Sequence, residues 1–367
     1  MTKLNIRKVF LKIFIAGFLL MPLLISAQKK QPWEIGARGS YGFLWPHRKD
    51  LWVLVEKHAV GVELFAEKQV NGDKPWHQYY RGPSYGVGLL FVNFSNPEKI
   101  GTVLRVLPYL YLPFTNNGKA SFGIRLGWGV GYVDKPYDRR ENTQQIAIGS
   151  KINMAVLLMA EYHRSFGRNM VMAGLGIDHW SNGSYRQPNL GINYLALNVG
   201  FSRALGDVKP YVHRQDSTRF KSPKRTQSVV FGFGVNEVER AYTGQYTAYS
   251  LVGQMQWRVS RKSSLAAGVD IFNKGSLVHY DEGLEDRPRI EYTQVGLHGE
   301  YALVLGNTEI YFNMGVYLYT PVPDDSKVFH RVGYRYKAGR HLLLNFSLKS
   351  HYAVADHVEI GMGYKWN

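Results

Sequence analysis

The sequence predicts an all-β protein, a transmembrane antiparallel β-barrel of the outer-membrane type with about 12–16 strands, an even number. Three observations lead there. Apolar and polar residues alternate with period two from Gln28 almost to the last residue, and no segment of helical period competes. Tight and long connections between these runs alternate, as turns at one rim of a barrel alternate with loops at the other. The composition combines 25 Tyr and 8 Trp with 38 Gly at a mean hydropathy of −0.25. Interfacial aromatics outside and small or polar residues inside give that balance. A soluble, secreted β-sandwich is the alternative that alternation alone does not exclude.

The N-terminus is read first. Lys3, Arg7, Lys8 and Lys12 precede an apolar stretch from Ile13 to Ile25, and Ser26-Ala27 offers small residues before Gln28. This is the pattern of a secretory signal peptide, residues 1–27. The stretch is short for a membrane-spanning helix of ~20 residues. Residues 28–367 then form the barrel. Eight runs make up a first half, 28–205: Trp33–Trp45, His58–Glu67, Ser84–Phe94, Thr102–Phe114, Ala120–Val133, Ile152–Phe166, Met170–His179 and Gly191–Ala204. A basic segment around Gly206–Arg225 follows. A second half, 226–367, carries Gln227–Glu237, Tyr246–Ser260, Ser264–Phe272, Arg289–Leu305, Glu309–Tyr319, Phe329–Lys337, Leu342–Ser350 and His357–Trp366. One closed barrel is the expected arrangement, and the length of the basic segment also leaves room for two.

The connections at Asn116-Asn117-Gly118, Gly167-Arg168-Asn169, Arg261-Lys262-Ser263, Gly306-Asn307-Thr308 and Ala338-Gly339-Arg340 are tight. Those at Asp134–Gly149, Asn182–Asn189, Asn273–Pro288 and Pro321–Lys327 are longer and polar. Asn71–Pro83 and the basic segment break the phase, being long where a short turn is expected. In the last strand Val358, Ile360, Met362, Tyr364 and Trp366 share one apolar face.

Charge and cysteine usage narrow the function. The formal net charge is +17; four of those charges fall in residues 1–27, which contain no acid, so the remainder carries +13. A basic exported chain suits the phosphates of lipopolysaccharide or phospholipid head groups. Nucleic acid, the other usual partner of basic chains, does not fit with export. With no cysteine, thiolate catalysis and Cys-ligated metal are excluded. Asp281-Glu282 with Glu285-Asp286 forms an acidic cluster that reads as a solvated loop rather than an ion site. His213, His279 and His298 lack metal-ligand spacing, so no metal is expected. Arg139, Arg140 and Lys151 flank a connection where lipid phosphate would lie.

The chemistry gathers at His179-Trp180-Ser181-Asn182-Gly183. On this strand Val171, Ala173, Leu175, Ile177, His179 and Ser181 share one face, which is apolar until His179. On the next strand Asn193, Leu195, Leu197, Val199 and Phe201 share a face that is polar only at its start. A connection centred near Arg186 sets His179 opposite Asn193 and Ser181 opposite Gly191, with opposed Cβ atoms ~5 Å apart. The three polar groups therefore interrupt a lipid-facing wall, where polar residues are costly and tend to be functional. Serine needs a neighbouring base, histidine titrates in the right range, and asparagine can orient the imidazole. The candidate nucleophile is Ser181, the base His179 and its orienter Asn193. Asn182 and the Gly183 N–H are the candidate oxyanion donors. No cofactor is required. Taken alone, His-x-Ser is common and Ser-Asn-Gly is an ordinary turn.

His179-x-Ser181-Asn182, followed by Pro188-Asn189-Leu190-Gly191-Ile192-Asn193, resembles the PagL family of lipid A 3-O-deacylases, in its longer acyloxyacyl-hydrolase-type form. The resemblance implies an outer-membrane carboxylic ester hydrolase acting on lipid A in the outer leaflet, with His179 and Ser181 in the catalytic roles and Asn182 in the oxyanion role. It covers about the first half of the mature chain. The family's third catalytic residue is a glutamate, and Asn193 stands at that position. The motif is also similar to that of the outer-membrane phospholipase A family, whose His, Ser and Asn match His179, Ser181 and Asn193. Ser184 and Asn189 stand where that family's calcium-binding arginine and serine would be, so calcium dependence is not carried over. The resemblances therefore imply lipid A deacylation first, phospholipid hydrolysis second, and leave a homodimer possible. A non-catalytic, porin-like or structural barrel is the reading from a different class.

Overall fold

A computed structural model describes residues 31–70, 72–209, 211, 220–221, 225–238, 244–322, 326–352 and 354–366. The expected signal peptide, residues 1–27, and His213 lie outside the described residues. Sixteen strands form among the described residues: β1 Glu34–Leu44, β2 Ala59–Gln69, β3 Ser84–Asn93, β4 Thr102–Asn116, β5 Ala120–Val133, β6 Ile152–Phe166, β7 Asn169–Ser181 and β8 Ile192–Ala204, then β9 Thr226–Asn236, β10 Tyr246–Arg258, β11 Ser263–Lys274, β12 Thr293–Leu305, β13 Thr308–Tyr319, β14 Val328–Ala338, β15 Leu342–His351 and β16 Val354–Trp366. All neighbours are antiparallel. The one strand expected to start early, at Arg289, begins instead at Thr293. Arg289–Tyr292 is a 3-10 turn entered from Pro288, which has no N–H to give to a ladder.

The strands close twice rather than once. β1 pairs with β8 and β9 pairs with β16, giving two eight-stranded barrels. This corrects the expected single barrel. An eight-stranded barrel has an interior just wide enough for side chains to fill, and both interiors are filled. In the first, the Glu63 carboxylate meets Arg38 at 3.2 Å, Arg105 at 3.1 Å and Arg125 at 2.8 Å. Glu161 meets Arg38 and Arg125 at 3.3 and 3.2 Å, and Arg105 reaches Asp178 at 2.6 Å. In the second, Arg331 bridges Asp270 and Glu359, and Arg335 bridges Glu300 and Glu309. The outer faces are the reverse. Leu175, Leu197 and Val199 are 53, 62 and 69% exposed on the first barrel, while Arg38 and Arg125 inside it are 1 and 0% exposed. Charge inside and aliphatic side chains outside is the inverse of a soluble core and suits hydrocarbon surroundings.

The barrels stand side by side and the same way up. Trp128 of β5 meets Phe346 of β15 edge-on, with centroids 4.8 Å apart, and, level with the end of β7, Met154 packs with Val358. At one rim the β2–β3 connection, with its short helix Pro75–Tyr79, lies against the β10–β11 and β12–β13 turns. Tyr80, Leu112 and Leu305 pack together there, and Tyr80 Oη donates to Lys262 O at 3.1 Å. Both breaks in the phase of the connections are thereby explained. Residues 72–83 carry an inter-barrel contact, and the basic segment joins the last strand of the first barrel, ending at Ala204, to the first strand of the second, starting at Thr226.

Candidate functional site

β7 ends at the opposite rim, where the connections are mostly longer. Trp180 decides which way its last residues face. Its indole is fully buried in the barrel mouth, in a cluster with Phe94 and Tyr194, and Nε1 donates to Leu104 O at 3.2 Å. One residue before that face change, the Arg105–Asp178 pair ties β7 to β4 from inside. With residues 178 and 180 inward, His179 and Ser181 point outward. Leu175, earlier on the same face, is open to the exterior, whereas Ser181 is 6% exposed. Its directly opposed neighbour on β6, Met154, is buried against Val358 of the second barrel.

The register places His179 opposite Asn193. His179 Nδ1 donates to Asn193 Oδ1 at 2.6 Å. Asn193 Nδ2 donates in turn to Nδ1 of His47, at 2.7 Å. His47 follows β1, 146 residues earlier in the chain, and no spacing in the sequence links it to the motif. Partial desolvation and the neighbouring Arg48 lower the His47 pKa below the ordinary histidine value, which keeps Nδ1 available as an acceptor. Among the described residues neither His179 Nε2 nor Ser181 Oγ has a hydrogen-bond partner, so the two are not hydrogen-bonded to each other.

Gly191 sits elsewhere than expected. The β7–β8 ladder stops at the pair Trp180–Ile192, and Gly191 has φ +86°. A Cβ there would lie 2.5 Å from His179 Cε1, so the glycine makes room for the imidazole rather than for a group at Ser181. The two oxyanion candidates also differ. The Asn182 amide donates to Ser150 Oγ at 3.0 Å and to Arg186 O at 2.7 Å, while the backbone N–H of Asn182 donates to Asn189 Oδ1 at 2.8 Å. Asn182 thus builds the turn. The Gly183 N–H has no partner among the described residues.

A cavity of about 760 Å³ opens beside the turn, lined in part by Met154, Asn182, Tyr185, Arg186, Lys151 and, from the second barrel, Val358. Of the basic residues expected near lipid phosphate, Lys151 lines it and Arg139 and Arg140 do not. His298 is not at this site: it lies inside the second barrel, paired with Asp270. The acidic cluster brackets a short 3-10 segment, Glu282–Leu284, with Asp281 and Glu285 as its caps, and no group of three His, Asp or Glu side chains arranged to hold a metal occurs among the described residues.

Residues 60–202 match the lipid A 3-O-deacylase (PagL) family, and residues 225–367 match the acyloxyacyl hydrolase C-terminal domain. Among solved structures, the crystal structure of the outer membrane enzyme PagL aligns at 19% identity over 45% of this chain and 97% of that chain, with a TM-score of 0.32. A triple mutant of the Rhodopseudomonas blastica porin aligns at 8% identity over 91% of this chain and 99% of that chain, with a TM-score of 0.17. No curated protein matches the chain.

Proposed function

The chain belongs to the PagL-type family of lipid A 3-O-deacylases and acyloxyacyl hydrolases, which makes it an acyl ester hydrolase, and from that premise we propose that it removes an acyl chain from lipid A at the outward rim of the bacterial outer membrane, with Ser181 as nucleophile. The observation that carries this reading is the hydrogen bond from His179 Nδ1 to Asn193 Oδ1, which leaves Nε2 free on the same outward face as Ser181. Nε2 takes the Ser181 proton as Oγ attacks the ester carbonyl carbon. The tetrahedral oxyanion collapses, and the alkoxide of the glycolipid leaves with the proton from His179. Water, deprotonated by the same Nε2, then attacks the acyl-serine, frees the fatty acid and restores the hydroxyl. The Gly183 N–H is the free donor for the oxyanion; the Asn182 amide joins it by giving up its bond to Arg186 O.

Asparagine at position 193 is workable because of His47. An amide can present either oxygen or nitrogen to an imidazole, and only the oxygen fixes the proton on Nδ1. His47 accepts from Nδ2 and so selects the oxygen-forward orientation. The position on the outer wall favours a membrane lipid over a soluble ester.

The test is mass spectrometry of lipid A and phospholipids from cells carrying the wild type or Ser181→Ala. Lipid A lacking one acyl chain, only when Ser181 is present, is the expected result. Release of lysophospholipid instead would transfer the activity to phospholipid. Identical lipids in both strains would overturn the catalytic reading in favour of a barrel without catalysis.

A further inference from the structure

We propose that the C-terminal barrel is a working part of this esterase site: it holds the turn that follows the nucleophile and supplies one wall of the cavity beside it, with Glu237 as the positioning residue. The inference rests on the reading of Ser181 and His179 as the catalytic pair.

The turn cannot hold its own shape cheaply. Gly183 and Ser184 both have left-handed backbone, at φ +63° and +62°, and for serine that region is unfavourable. Asn182 and Asn189 hold the turn from within, and a second set of contacts comes from the other barrel. The Glu237 N–H donates to Ser184 O at 2.7 Å, and Ser184 Oγ donates to Ala355 O. The Glu237 carboxylate accepts from Gln187 N at 2.7 Å, and Glu237 O accepts from Gln187 Nε2 at 3.1 Å. Gln245 Nε2 donates to Tyr185 O at 2.9 Å. Glu237 thus grips the turn at both ends, residues 184 and 187. It is 2% exposed, and among the described residues its carboxylate pairs with no cation. A buried carboxylate spent on one backbone N–H is a costly contact unless the geometry of that segment matters.

Packing agrees with the hydrogen bonds. A Cβ on Gly183 would run into Val358 Cγ2, so β16 lies flush against the residue proposed as oxyanion donor. Val358 also lines the cavity beside Asn182 and Met154. Oxyanion donors act by being held where charge develops, so displacing the turn by a fraction of an ångström costs rate rather than binding.

The full-length protein, folded in detergent micelles, tests this with Glu237→Ala, Glu237→Gln and Ser181→Ala. The readouts are kcat and KM on micellar lipid A, the rate of Ser181 labelling by a fluorophosphonate, and heat-modifiable gel mobility as the check on folding. Glu237→Ala is expected to lower kcat and the labelling rate about tenfold with KM little changed, the loss of one positioned donor or its support being worth a decade or more. Glu237→Gln keeps an oxygen for Gln187 N–H and recovers most of the rate. Wild-type kcat and labelling in Glu237→Ala, with Ser181→Ala inactive, would overturn the role of the second barrel and leave the catalytic pair standing. Activity in Ser181→Ala would instead overturn the catalytic pair. Should Glu237→Ala fail to fold, Gln245→Ala, which removes the contact to Tyr185 O, is expected to lower the labelling rate several-fold; a wild-type rate there overturns the proposal.

Discussion

Asn193 accepts from one histidine and donates to another, and the two contacts are not interchangeable. The first sets the His179 tautomer; the second keeps the amide from flipping. His47→Ala is therefore expected to lower kcat about tenfold, a loss of ~1.4 kcal/mol in transition-state stabilisation, while Asn193→Ala costs about a hundredfold or more, toward the full value of a positioned base. Steady-state kinetics of both variants check this, and equal losses would remove the distinction between them. The sign of the pH effect follows from the lowered pKa of His47. Above it the neutral ring accepts from Asn193; below it Nδ1 carries a proton and turns the amide away. Gly191→Ala is a second test at this scale. Its Cβ would press on His179 Cε1 from a backbone position at φ +86°, so activity falls with KM nearly unchanged. The facing of His179 and Asn193 was legible because strand alternation and a connection centred near Arg186 fix which residues oppose one another. His47 was not, because nothing local ties a residue beyond β1 to the start of β8.

β7 is held from inside so that its outward face can be polar at its end. Trp180 fills the mouth of the first barrel and Asp178 pairs with Arg105, and between them they fix the rotation of His179. Trp180→Ala is expected to destabilise the barrel by ~3–5 kcal/mol, the range for emptying a large buried aromatic, and to lower activity by loosening its two neighbours. Urea titration followed by tryptophan emission and gel mobility measures the first effect. The ion cluster behaves differently. Glu63 faces three arginines, and Glu63→Gln leaves them with too little negative charge in a dry interior, an expected loss of ~3–5 kcal/mol. The same titration checks it, and a wild-type midpoint would show that the cluster is solvated. The strand boundaries were readable from period-two alternation, which each strand obeys regardless of its partners. The start of β12 was misread because Arg289–Tyr292 continues the alternation while Pro288 sets a turn.

At the scale of the molecule, one chain makes two barrels that pack against each other. Trp128 against Phe346, the Met154–Val358 contact and the rim contacts of Tyr80 join them into a single unit. A protease site placed in the segment between Ala204 and Thr226 is expected to leave the two halves comigrating in mild detergent after cleavage. Trp128→Ala with Phe346→Ala weakens that association, an aromatic pair being worth ~0.5–1.5 kcal/mol beyond its buried area. Free separation of the wild-type halves on size-exclusion chromatography would contradict this packing.

The sequence by itself determined the strands, their faces, the rim at which the motif lies and the pairing of His179 with Asn193. All of these follow from local periodicity and short connections. Only the tertiary structure decided where the sheets close. A strand reads the same whether its neighbour is eight or sixteen strands away, because ladder hydrogen bonds are made by the backbone and carry no label of partner. Once β1 closes on β8, the second eight strands become a separate body, and long-range contacts alone bring His47 to Asn193 and Glu237 to the turn after β7.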